Sequence, residues 1–179
     1  MKPLIILSLL FFISIGCNAQ AIEDTIHWRA DRLLTYDDFK CPPDMSSPFA
    51  AQTSAGISYS YGYSSDKGMR YSLTCYFSKI HSWMKNDHKN PYILKHEQGH
   101  FDITEVYARK LDAALKNYKV NFNTMKNDLQ TIYSRITDEK DAMNEQYDNE
   151  TKHSVDTTMQ RVWNQKIERM ISEGNNSAH

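Results

Sequence analysis

The chain has 179 residues, 40% of them hydrophobic and 24% charged, with a formal net charge of −1. That length and apolar content suit one domain with its own core and require no second. The near balance of charge points away from nucleic acid as a partner.

The chain begins with Lys2, an apolar run over residues 4–15 and then Gly16-Cys17-Asn18-Ala19-Gln20. A basic start, a short apolar run and small residues at the cut read as an export signal over residues 1–19. The run is too short for a membrane-spanning helix. The favoured reading is a free mature chain starting near Gln20, secreted or periplasmic. Gly16-Cys17 leaves the alternative of a lipoprotein anchored through Cys17. Removal of the signal takes Lys2 and no acid, so 20 of the 21 basic residues remain against 22 acidic ones. Only Cys41 and Cys75 then remain, and in an oxidising compartment an even pair reads as a disulfide. A cysteine-based zinc site is the weaker reading, because neither has a neighbour at ligand spacing.

Residues 26–29 read as a short strand, followed by a turn and one helical turn opened by Thr35 or Asp37. Trp28, Leu34 and Phe39 belong to the core. Three prolines and two serines make residues 41–48 a loop. Two alternating runs, residues 51–63 and 69–77, flank the turn chemistry of Ser64-Ser65-Asp66-Lys67-Gly68 and predict a β-hairpin. Ile80, Trp83 and Met84 suggest a short amphipathic helical piece.

Asn90-Pro91 then supplies an N-cap and first-turn proline for a long helix. On it His96 and His100 are four residues apart, with Glu97 directly after the first. At about 100° per residue the two imidazoles lie about 40° apart on one face, where they can grip a single metal ion. Glu97 falls beside that position, where a base takes a proton from water held at the ion. Ile93, His96, His100, Ile103, Tyr107 and Leu111 share this face, so both histidines interrupt an apolar stripe. A shared metal satisfies them; the bland alternative is two core histidines bonded to backbone carbonyls. Gly99 costs the helix about 1 kcal/mol relative to alanine, which suggests that something packs closely against the backbone there.

Two further helices are expected at about residues 123–145 and 155–172, joined by a polar segment over residues 147–154. Residues 175–179 form a polar tail behind a single domain over residues 20–174.

A catalytic zinc takes three protein ligands and one water. Asp102 and Glu105 lie about 240° and 180° round from His96 and face away from it. The third ligand must come from elsewhere. Among the remaining histidines His153, in the polar segment between the last two helices, is the leading choice and Glu150 its main competitor.

Trp28 with Leu34-Thr35-Tyr36-Asp37-Asp38-Phe39, Ser82-Trp83, the stretch from His96-Glu97-Gln98-Gly99-His100 to Glu105, and Tyr147-Asp148 with Thr151 and His153 carry a resemblance. They resemble a bacterial domain-of-unknown-function family described as predicted secreted zinc-dependent proteases. The resemblance covers about residues 26–154 and implies a zincin-like arrangement, with His153 falling in the family's late motif. Ser154 and Cys41 stand where glycine is usual.

The sequence therefore predicts an α+β, zincin-like domain: a small antiparallel sheet packed on the motif helix, followed by two more helices. The expected function is a secreted or periplasmic zinc metallohydrolase, a peptidase acting on protein or peptide. One Zn2+ would be held by His96, His100 and His153, with Glu97 as base and Tyr147 or Tyr107 stabilising the transition state. The rival is a non-catalytic zinc-containing envelope binding domain that presents its aromatic hairpin.

Overall fold

The computed structural model describes residues 24–176. The expected signal, Cys17 and residues 177–179 of the expected tail lie outside them. Element order is β1 (Thr25–His27), β2 (Ala51–Gln52), β3 (Ala55–Ser64), β4 (Gly68–Ser78), β5 (Trp83–Met84), α1 (Pro91–Asn117), α2 (Met125–Thr151) and α3 (Thr157–Asn176). This is the expected α+β arrangement of small antiparallel sheets and three helices.

β3 and β4 form the hairpin, closed by a turn in which Gly68 takes φ +69°. A left-handed residue at this point suits glycine, which has no Cβ to clash. β1 adds to the outer edge of β4, giving the order β1-β4-β3. Ile57 and Cys75 are Cα partners across the hairpin and both are buried, while alternate residues such as Ser58 and Ser60 face outward. Period-two alternation has placed one face of the sheet on α1.

Residues 51–63 do not form one continuous strand, and residues 80–84 do not form a helix. Ala51 and Gln52 pair with Met84 and Trp83 in a second, two-stranded sheet. Trp83 and Met84 are buried and Ile80 is exposed, so the three apolar residues share no helical face. A 3-10 turn at Lys79–His81 precedes β5. The break between β2 and β3 is fixed by Ser54, whose N–H donates to Ser82 Oγ and whose carbonyl accepts from Ser78 N.

α1 starts as expected, with the Asn90 side chain accepting from Ile93 N at 3.0 Å and Pro91 in the first turn. It lies at the centre of the molecule and packs on β3, β4, α2 and α3. Phe77, Phe101, Leu111, Leu129, Tyr147 and Trp163 make up much of the core around it.

α2 runs further than its apolar periodicity suggests, continuing through Tyr147 and Asp148 to Thr151. Tyr147 is fully buried, and the Thr151 hydroxyl donates to the Tyr147 carbonyl at 2.7 Å. Lys152, His153 and Ser154 then take φ of 51°, 50° and 72°, a left-handed turn that ends the helix. Asp156 restarts the chain as α3, its carboxylate accepting from Thr158 N and Met159 N.

The expected Cys41–Cys75 disulfide is absent, and both thiols are free. Cys75 is buried on the inner face of β4, whereas the Cys41 backbone is tied to the Ser82 carbonyl in the loop before β2. Burial pushes the Cys75 thiol far up, reinforced by the carboxylates of Glu105 and Asp102. No described helix is long and apolar enough to cross a membrane.

Candidate metal centre

His96 and Glu97 are 3% and 4% exposed, so the motif sits inside the fold and not on its surface. His96 Nε2 and His100 Nε2 each lie 3.1 Å from the same oxygen, Asp148 Oδ1. These are the three ligand atoms that come within 4.8 Å of one another among the described residues.

The other ring nitrogens are held from behind. His96 Nδ1 meets Gln160 Oε1 at 2.9 Å, and His100 Nδ1 meets Asn144 Oδ1 at 2.8 Å. Neither amide is free to turn round. Gln160 Nε2 donates to Tyr147 Oη at 2.6 Å and to Asn164 Oδ1 at 2.9 Å. Asn144 Nδ2 donates to the Lys140 carbonyl at 3.1 Å. Both oxygens therefore face imidazoles, both Nδ1 atoms carry the hydrogen, and a neutral ring directs its Nε2 lone pair at Asp148. Two lone pairs aimed at one carboxylate oxygen repel unless a cation lies between them. Protons can play that part: burial lowers the His100 pKa, but the Asp148 hydrogen bond and the Glu97 and Asp148 charges outweigh it and raise it. Burial likewise raises Asp148, and the hydrogen bonds from His100 and His96 override this and hold it well below the carboxylate range. A divalent cation meets the same demand with one charge centre, and two imidazoles with a carboxylate are ordinary zinc ligands. The donor set fits the ion.

Glu97 Oε2 is buried and has no hydrogen-bond partner. Its backbone carbonyl accepts from Thr53 Oγ1 at 3.3 Å, which ties the motif to the segment joining β2 and β3. Residues 49–55 on one side and α2 on the other enclose a cleft of about 450 Å³, with His96, Glu97 and His100 on its floor. A buried carboxylate oxygen without a partner, open to a cleft, is placed to take a proton from a guest.

The other expected site residues fall as follows. Asp148, which the sequence left in a connecting segment, joins the two histidines as the third candidate ligand, because the extension of α2 places it one turn beyond Asn144 on the cleft side. His153 stands next to that set and not in it. Its Nδ1 is 3.4 Å from Asp148 Oδ1, its ring packs on Phe49 at 4.2 Å, and it lines the cleft. Glu150 points elsewhere, accepting from Trp163 Nε1 and Gln146 Nε2. Neither tyrosine offers a hydroxyl to the cleft. Tyr107 is a core residue with Lys110 over its ring. Tyr147 donates to the His96 carbonyl at 3.2 Å and stacks on the His96 ring at 4.6 Å, so it orients that imidazole. It is also the neighbour that Gly99 makes room for, since a Cβ there would lie 2.9 Å from Tyr147 Cζ. Asp102 and Glu105 face away from the cluster, as the helical angles require. Gln160 and Asn144 have no motif in the sequence that would single them out.

The structure thus defines a small α+β domain with a His-His-Asp cluster that could hold a metal ion at the floor of a cleft. The chain belongs to a family of bacterial proteins of unknown function (DUF922), whose model matches residues 40–154. The match takes in His96, Glu97, His100, Asp148 and His153, and stops before Gln160. No curated protein and no solved structure matches the chain.

Proposed function

We propose that the protein is an exported zinc-dependent hydrolase of the peptidase type, its ion held by His96, His100 and Asp148. The observation that carries this reading is the partnerless, buried Glu97 Oε2 opening on the same cleft as three converging ligand atoms. A zinc ion bound there supplies a Lewis acid that polarises a carbonyl and makes water acidic enough to be deprotonated near neutral pH. Glu97 accepts that proton at Oε2 and returns it to the departing amine nitrogen, so the base of the first half is the acid of the second. Gln160 and Asn144 keep each Nε2 turned to the ion by holding the hydrogens on Nδ1. His153, half-exposed beside Asp148, lines the same cleft. Export rests on the N-terminal pattern of residues 1–19.

The test is zinc stoichiometry beside turnover of a broad peptide mixture. Glu97→Gln should bind one zinc per chain as wild type does, and turnover should fall by about 10²–10⁴-fold. Asp148→Ala should lose stoichiometric zinc while His153→Ala keeps it. Full turnover in Glu97→Gln would remove the assigned base, and full zinc in Asp148→Ala would remove the third ligand.

A further inference from the structure

α1 and α2 run in opposite directions along the cleft and meet in steps of one turn. Asp148 contacts His96 and His100, Asn144 contacts His100, and one turn further along each helix Thr104 and Lys140 line the cleft. With a rise of 1.5 Å per residue, Lys140 stands roughly 12 Å along α2 from Asp148.

The Lys140 side chain is 13% exposed, and its ammonium meets Asp141 Oδ1 at 2.9 Å, on a side chain that is itself 69% exposed. An ammonium carries three donors. Asp141 occupies one of them, and it is a neighbour that water can replace, because exposed ion pairs contribute little. The cleft wall therefore holds a largely desolvated cation whose counter-ion among the described residues, Asp141, is held loosely at the rim. The other charged groups of α2 along this wall, Asp141, Glu145 and Asp148, are acidic, so Lys140 is a single positive point on an otherwise negative wall.

We infer that Lys140 is a carboxylate-recognising subsite of the cleft, which selects peptides bearing a carboxylate about three residues from the bond that is cut. An extended chain advances about 3.4 Å per residue, so roughly 12 Å spans three residues or slightly more. The guest carboxylate accepts the hydrogens that Asp141 leaves, and Asp141 turns out to solvent. An Asp or Glu side chain and a terminal α-carboxylate offer the same chemistry. The inference rests on the peptidase reading for the cut bond, and on the cleft geometry alone for the subsite.

The test uses full mature protein, zinc-loaded and carrying Glu97→Gln, so that peptides bind without turnover. Fluorescein-labelled octapeptides differing only by Glu or Gln at one position, each with a free or amidated C-terminus, are titrated against it. One Glu position, or the free C-terminus, should bind at least about tenfold more tightly than its neutral twin, as expected for a hydrogen-bonded ion pair away from bulk water. The position that responds tells the side-chain source from the terminal one. Adding Lys140→Met, which keeps the aliphatic stem, should erase the difference, and Lys140→Glu should turn it towards Lys-bearing peptides. Equal binding of all twins, a preference that survives Lys140→Met, or no binding of any peptide each overturns the subsite. Digestion of the same peptides by wild type tests the other claim separately. Discrimination in binding with no cleavage at all sinks the peptidase reading and leaves Lys140 as a carboxylate site.

Discussion

α1 buries polar side chains on two of its faces and treats them in opposite ways. On the face towards β1 and the N-terminal segment, Gln98 accepts from Leu34 N at 2.7 Å and donates to Asp102 Oδ1 at 2.8 Å. Asp102 also accepts from Trp28 Nε1 at 2.8 Å, and Glu105 accepts from Arg109 Nε at 2.8 Å. Every one of these groups finds a partner within the chain. On the cleft face, three residues of the same helix converge on less: His96 and His100 share one carboxylate oxygen, and Glu97 Oε2 has no partner. Satisfied buried groups fasten the N-terminal segment to the helix, while the unsatisfied one marks where a guest is expected.

The sharpest way to break this contrast is to remove one residue from each face. Gln98→Leu strands the Leu34 N–H and takes a donor from Asp102, so it should destabilise the fold by about 2–4 kcal/mol. Glu97→Gln strands nothing that was paired, and in metal-free protein it should leave stability unchanged or raise it. Urea denaturation of the two variants decides: equal losses would erase the distinction between the faces.

Gln160→Leu probes the support of the cleft face from behind. It removes the acceptor that holds the hydrogen on His96 Nδ1, and zinc affinity should fall about 10–100-fold. Competition with a chelator reads this directly. Zinc affinity equal to wild type would mean that Gln160 orders only Tyr147 and Asn164.

Glu105 gives the other face a pH signature. Burial raises its pKa above the ordinary glutamate value, against the lowering effect of Arg109. The folded chain therefore holds this proton more tightly than the unfolded chain. Its contribution is fully present below the unfolded pKa and is lost as pH rises through the folded pKa. Glu105→Gln should flatten that decline while still accepting from Arg109. Stability curves that fall equally in both proteins across this window would contradict it.

Much of this contrast is visible in the sequence, because helical angles already separate His96 and His100 from Asp102 and Glu105. The hairpin and the Asn90-Pro91 start of α1 are equally legible, since each rests on local periodicity and turn chemistry. Asp148 is not, although Asn144 and Asp148 lie four residues apart, the same spacing as the motif histidines. It depends on α2 continuing past its apolar repeat to Thr151, which is set by the burial of Tyr147 and by the left-handed turn that follows. Tyr147 is recognisable as a site residue, but its burial gives it the task of orienting His96 and not of meeting substrate. Setting aside the expected signal leaves Cys41 and Cys75 as a pair, and the sequence gives no distance between them. β5 is two residues long and owes its existence to β2, so no local pattern announces it.

The smallest effect concerns the turn that ends α2 and delivers Asp148. Ser154 is the third consecutive residue there with positive φ, at 72°, and it is 9% exposed. A residue with a Cβ in this region costs roughly 1–2 kcal/mol, and glycine gives back part of that relief through the greater freedom of its unfolded chain. Ser154→Gly should therefore stabilise the protein by about 0.5–1 kcal/mol, measured as a shift in the urea midpoint with an unchanged slope. Three left-handed residues in a row are sustained by His153 N donating to the Asp148 carbonyl at 2.9 Å and Asp156 N to the Thr151 carbonyl at 2.8 Å. The first of these bonds fixes the backbone of Asp148 itself, so relaxing the turn should leave zinc affinity where it was. A Ser154→Gly variant that is less stable, or that binds zinc more weakly, would show that the strain at this turn helps to hold the carboxylate against the two histidines.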